Sequence, residues 1–401
     1  MTAPISTSDF SVLVAGALCE NGADRTTLHL DPDAFAVRKK DGTGKVLNSL
    51  YLGNFYKSYK NAKTAEEQKQ EIDRIVNFWT STTETFDDES FEDCKHKLRP
   101  VIRERRYYPI EDEGEEPGFA QSTIGDHLAL LLCIDQEHSM SLVTNSRFEA
   151  LGVSWDEALD AAMDNMLARP STLWRVEENE NNPADCIYIY ESDDSYGSSI
   201  LVFPNLISDL KVLGQQLVFT PAKGVVLVTG SDCIFGLQRA LELFEECKSR
   251  HDYIRPEMLS LDQDLNWYHC ELTDEHCLYD DFNNFRLYSN LLVYNDFFEK
   301  FRGTFEQLTA PIRVAPYEVF GTDEGRYHDE VLIKCDEVPI LMPFAETILV
   351  EAGDRIFHLP AEVFSDLCAG NLQQARSYPL LYELTEPINV EQLEDLTSST
   401  E

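Results

Sequence analysis

Basic residues are scarce in this sequence. Among 401 residues, 33 are Lys or Arg against 72 Asp or Glu, a formal net charge of −39. Attachment to nucleic acid or to an anionic membrane needs clustered Lys and Arg, so this balance argues against both. The excess acid reads as a solvated surface, with recruitment of a basic partner as its other use. Long apolar runs are lacking as well, and no stretch approaches the length that spans a bilayer. Ser11 to Cys19 (SVLVAGALC) has the apolar core of an export signal, but Asp9 precedes it where Lys or Arg should stand. It reads instead as a short helix capped by Ser8, with Phe10, Leu13, Val14 and Ala17 inward and Gly22 at its end. The ten cysteines include no C-x-x-C pair. Most sit in apolar contexts, such as Cys133 in LALLLCID and Cys186 in DCIYIY, which is the usage of small buried hydrophobes in a reducing compartment. The expectation is a cytoplasmic protein without disulfides. Catalytic signatures are missing too: no G-x-S-x-G elbow, no H-E-x-x-H, no kinase set.

What is present is a strong central pattern. From Gly214 to Glu246 the chain reads strand, turn, strand, loop, helix. Leu217–Phe219 and Val225–Val228 are β-branched or aromatic runs, and Pro221-Ala222-Lys223-Gly224 between them is turn chemistry. Leu237, Ala240, Leu241 and Phe244 then recur at helical spacing. Similar strand–strand–helix units surround it, with a capping box at Ser154-Trp155-Asp156-Glu157. Short connections of this kind predict an α+β fold whose mostly antiparallel central sheet carries helices on one face. The predicted organisation is an N-terminal α+β subdomain over 1–110, an acidic linker over 111–122 (EDEGEEPG at its start), a central domain over 123–272 and an acidic C-terminal region over 273–401. The residues from Glu391 onward are polar enough to fray.

Four stretches could carry chemistry. Lys95 to Tyr108 is the one concentrated basic run, and on an extended chain Arg99, Arg103 and Arg105 would share a face. Three such guanidinia suit a phosphate or carboxylate ligand, although neutralising the chain's own carboxylates is the favoured use. The polar loop Glu191 to Ser199 could add Asp193, Asp194 and Tyr196 as a ligand loop at a helix start, or Asp193 and Asp194 could hold a cation, although a helix cap is the favoured use. His269-Cys270 and His276-Cys277 repeat a possible zinc-ligand pair, but the spacing of seven fits no usual template, so no metal and no cofactor is expected. Asp41-Gly42-Thr43-Gly44-Lys45 lacks the first Gly and the Ser or Thr of a phosphate loop and is taken as a turn.

Five short motifs, in order, resemble the YtpQ-like family of bacterial cytoplasmic proteins, whose domain carries a domain-of-unknown-function label. They are Leu50 to Tyr56 (LYLGNFY), Leu98 to Arg103 (LRPVIR), Ser154 to Leu159 (SWDEAL), Ser192 to Leu201, and Leu227 to Ser231 (LVTGS). The resemblance covers roughly residues 8–272. It departs from the family pattern at Asp194-Ser195-Tyr196-Gly197-Ser198-Ser199-Ile200, where an Asp and an Arg are lost, and at Lys223-Gly224, where Arg-Asp is usual. It implies no reaction and no ligand. The functional expectation is a noncatalytic binding or adaptor protein for a protein partner or an anionic small molecule. The alternative is an enzyme acting on an anionic or phosphorylated small molecule.

Overall fold

Two nearly continuous apolar strands side by side call for a sheet covered on both faces. Gln216–Ala222 and Val225–Gly230 pair antiparallel, with a register shift between Phe219 and Ala222, and every residue of the second strand is buried. They are the middle of a six-stranded antiparallel sheet. Its order is Trp267–His269, Leu259–Leu261, Gln216–Ala222, Val225–Gly230, Asn182–Glu191, Arg175–Asn179. This computed structural model describes residues 5–32, 35–40, 42, 44, 46–83, 89–108, 110, 118–136, 140–169, 173–192, 196–248, 250, 252–307, 313–322 and 326–398.

One face of the sheet meets helix Ile234–Lys248 and the first turns of helix Tyr279–Gln307, with Phe219, Phe244 and Phe282 at the centre of the shared core. The first helix rests directly on the sheet: a Cβ at Gly236 would stand 2.0 Å from Thr229 Oγ1. The opposite face, through Val218, Val226, Val228 and Leu259, packs on Ile102, Ile124, Leu128 and Leu130. Those side chains belong to a second antiparallel sheet made of Leu98–Glu104, Leu128–Asp135, Gln121–Ile124 and Met140–Leu142. The α+β class and the helices on one face are therefore as the sequence implies, and a second sheet covers the other face. Leu98–Glu104, placed with the N-terminal segment from sequence, pairs along its whole length with Leu128–Asp135. Residues 111–117 of the acidic linker lie outside the described residues.

The N-terminal unit packs helices Thr7–Glu20 and Ala65–Thr83 on a three-stranded sheet around Phe10, Val14, Leu50, Ile75 and Trp79. Its first helix begins two residues earlier than expected: Ser6, not Ser8, accepts the Asp9 N–H at 3.1 Å. Past helix Tyr279–Gln307 lie two four-stranded sheets with their own core. One contains Tyr317–Gly321, Tyr327–Lys334, Thr347–Ala352 and Arg355–Pro360, with a parallel pair at its centre. The expected fraying from Glu391 is overturned as far as Ser398; residues 399–401 lie outside the described residues. Val390–Ser398 is a helix, because Leu393 is wholly buried and, with Ile388, anchors the segment to that core. Among the described residues no helix is long and apolar enough to cross a membrane.

Candidate functional site

The arginine run folds so that it cannot act as one patch. Arg99 and Arg103 share a face of the strand Leu98–Glu104, but the chain turns into a 3-10 turn at Arg105–Tyr107 and takes Arg105 elsewhere. Arg99 donates to the carbonyls of His96 (3.0 Å) and Leu98 (2.8 Å), with Asp135 3.8 Å away. Arg103 is wholly buried, donates to Ile102 O at 2.8 Å and touches Met140 Sδ. Burial holds its guanidinium below the ordinary arginine range. Arg105 lies over the Tyr378 ring, 4.7 Å from its centroid. Tyr196 joins the Arg99 side, donating its hydroxyl to Asp135 at 2.7 Å. Asp193 and Asp194 lie outside the described residues.

A different group of residues converges on a cleft between the six-stranded sheet and helix Tyr279–Gln307. Gly125 sits at φ +59, in the left-handed region that glycine adopts without penalty. That turn aims two successive backbone N–H groups at one carboxylate. Asp126 N donates to Glu257 Oε1 at 2.5 Å and His127 N donates to Glu257 Oε2 at 2.9 Å. The Glu257 carboxylate is fully shielded from solvent. His269, on the edge strand, stands with Nδ1 3.3 Å from Glu257 Oε1 and Nε2 3.4 Å from Glu271 Oε1. Arg286, from the helix, lies 3.4 Å from Glu271 and 2.7 Å from Glu346. The result is a row of alternating charge, Glu257, His269, Glu271, Arg286, Glu346.

The row fixes its own protonation. Burial opposes charge on His269, but the carboxylates of Glu257 and Glu271 outweigh it and push the imidazolium up to about 10. Burial would raise the Glu257 carboxyl, yet His269, His127 and the two backbone N–H groups hold it below the usual range. His269 likewise lowers Glu271. Burial drives His127 the other way, towards the neutral imidazole. The cleft has a cavity of about 50 Å³. At roughly 10–15 Å³ per water, that admits a few waters, one ion or a ligand of a few atoms. Phe219, Phe244, Phe282 and Phe285 form its apolar wall.

Below the row, Glu104 and Arg255 form a buried ion pair, and Arg255 also donates to Ser289 O of the helix at 2.8 Å. Arg106 adds a second cation to Glu104 at 2.8 Å.

Of these residues the sequence pointed only to His269, and for another reason. Its supposed partners go elsewhere: His276 Nε2 lies 3.1 Å from Ser231 O, the Cys270 thiol meets Met258 O, and Cys277 is exposed. His269 joins Asp126 and Glu257 instead, in a group whose ligand atoms all lie within 4.8 Å of one another. No protein-family model, curated protein or solved structure matches the chain, so the resemblance to the YtpQ-like family rests on its five motifs alone.

Proposed function

We propose that the protein is a noncatalytic binding protein that takes a small polar or charged ligand into the cleft between the six-stranded sheet and helix Tyr279–Gln307. The observation that carries this is the fixed-charge row. A general acid or base works best with a pKa near the operating pH. In this cleft the paired groups are driven away from it, with His269 held charged and Glu257 and Glu271 held ionised. A constant electrostatic lining in a small, half-apolar cavity suits recognition more than proton transfer. An enzyme handling anionic substrates needs an arginine clamp at its pocket. Arg99, Arg103 and Arg105 do not line this cleft, and their guanidinia meet carbonyls and a tyrosine ring; the arginine that does line it, Arg286, stands alone between Glu271 and Glu346 and is no such clamp. A cytoplasmic setting accords with ten free cysteines, six of them buried.

The test is a thermal-shift panel of small anions, nucleotides, phosphorylated metabolites and divalent cations against the purified chain. A ligand that binds only the folded state raises the melting temperature with its occupancy. The expected result is a shift that Arg286→Gln diminishes. Turnover of a shifting ligand would replace the binding function with an enzymatic one.

A further inference from the structure

We infer, building on the binding function proposed above, that the cleft holds a divalent transition-metal cation on Asp126, Glu257 and His269. Their ligand atoms lie within 4.8 Å of one another. Donors about 2.0–2.2 Å from a common ion stand at most about 4.4 Å apart, so a closure of a few tenths of an ångström completes the set. A second observation is independent of this clustering. His269 Nδ1 is buried and faces Glu257 Oε1 at 3.3 Å across an ion pair, without a well-formed hydrogen bond. A cation bound there takes the place of the imidazolium's Nδ1 proton between the same carboxylates, so its binding releases a proton. His127 Nδ1, on the same cleft, is also buried without a hydrogen-bond partner in the structure.

The surroundings match what metal ligands require. A ligating histidine typically gives its other ring nitrogen to a carboxylate, and a ligating carboxylate is itself hydrogen-bonded. His269 Nε2 faces Glu271 at 3.4 Å, Glu271 is backed by Arg286, and Glu257 Oε2 takes the His127 N–H. One imidazole and two carboxylates favour Mn²⁺, Fe²⁺, Co²⁺, Ni²⁺ or Zn²⁺ over Mg²⁺ and Ca²⁺, which prefer an all-oxygen set. Asp126 is exposed, so the ion keeps an open side for water or a ligand.

The experiment is a Co²⁺ titration of the chelator-treated full chain at physiological salt with excess Mg²⁺, followed by visible absorption and calorimetry. One Co²⁺ per chain is expected, with the bands of a nitrogen–oxygen set. Glu271→Gln is expected to weaken it by about 10–100-fold, the usual cost of losing a supporting hydrogen bond. Asp126→Asn, at an exposed position that does not threaten folding, is expected to weaken it at least as much. Weak multi-site binding that Asp126→Asn leaves unchanged would overturn the proposal, because it marks scattered surface carboxylates. Thiolate charge-transfer absorption would overturn it too, by pointing to Cys277. A small organic ligand that binds where Co²⁺ does not, and loses affinity in Arg286→Gln, would overturn the metal while leaving the binding cleft in place.

Discussion

Gly125→Ala should be among the most damaging single-methyl additions in this chain. The new Cβ would stand 2.4 Å from Glu257 Oε1 and 2.4 Å from Leu259 Cδ2. Two costs follow. Holding a residue with a Cβ in the left-handed region costs about 1–2 kcal/mol. Relief of the contact drives the Glu257 carboxylate off at least one of its two backbone donors, and a hydrogen bond to a charged group is worth about 1.5–3 kcal/mol. The expected loss is about 2.5–5 kcal/mol. Gly152→Ala isolates the first cost, because Gly152 lies at φ +68, caps the helix Asn145–Leu151 and has nothing within 4 Å of its Cβ position. Urea denaturation of both variants beside the parent, followed by far-UV circular dichroism, is the assay. Gly125→Ala should fall well below Gly152→Ala. Equal losses would show that the turn does not grip the Glu257 carboxylate, and the geometry built on that grip would fall with it.

Three further outcomes can be checked. Burial, then Arg103, lowers the Lys223 ammonium to about 8 against an ordinary 10.5, so the unfolded chain binds more protons between those values and the lysine's contribution to stability rises with pH across that window. Lys223→Met should remove that rise and stabilise the protein at pH 7 by up to about 3 kcal/mol, and a variant that is no more stable than the parent refutes the buried charge. Among the ten thiols only Cys277 is exposed, so Ellman's reagent should find one fast thiol in the native protein and the rest on unfolding; two or more fast thiols would contradict the packing. Glu104→Gln leaves Arg255 buried without its counter-charge and should cost about 3–5 kcal/mol in the same urea assay, which a loss under about 1 kcal/mol would contradict.

Much of the central fold was legible because its signals are local. The β-branched runs around Lys223-Gly224 give the hairpin, and Ser154 accepts the Glu157 N–H at 3.2 Å as its spacing foretold. Burial of Leu393 is not local, since it depends on a core assembled from strands up to 80 residues earlier, so a polar C-terminal stretch looked loose when it is a docked helix. The site is less legible still. Asp126 and Glu257 are 131 positions apart, and nothing in Gly125-Asp126-His127 or Arg255-Pro256-Glu257 alone says that one will wrap the other. The arginines misled for a physical reason: alternation along a strand places Arg105 with Arg99 and Arg103 only if the strand continues, and it stops at Glu104.

One helix belongs to two cores. Near its start, Phe282 stacks on Phe219 at 5.6 Å and Phe285 meets Phe244 edge-on at 5.4 Å. About three turns later Tyr294 packs on Tyr317 at 4.7 Å, inside the C-terminal core. Neither half of the chain can therefore be cut free at residue 272 without a wound. A fragment ending there would present a bare aromatic trough to water, and its complement would carry the plug that fits it. Mixed together, the two pieces should find each other, and the helix is the tongue by which they would rejoin.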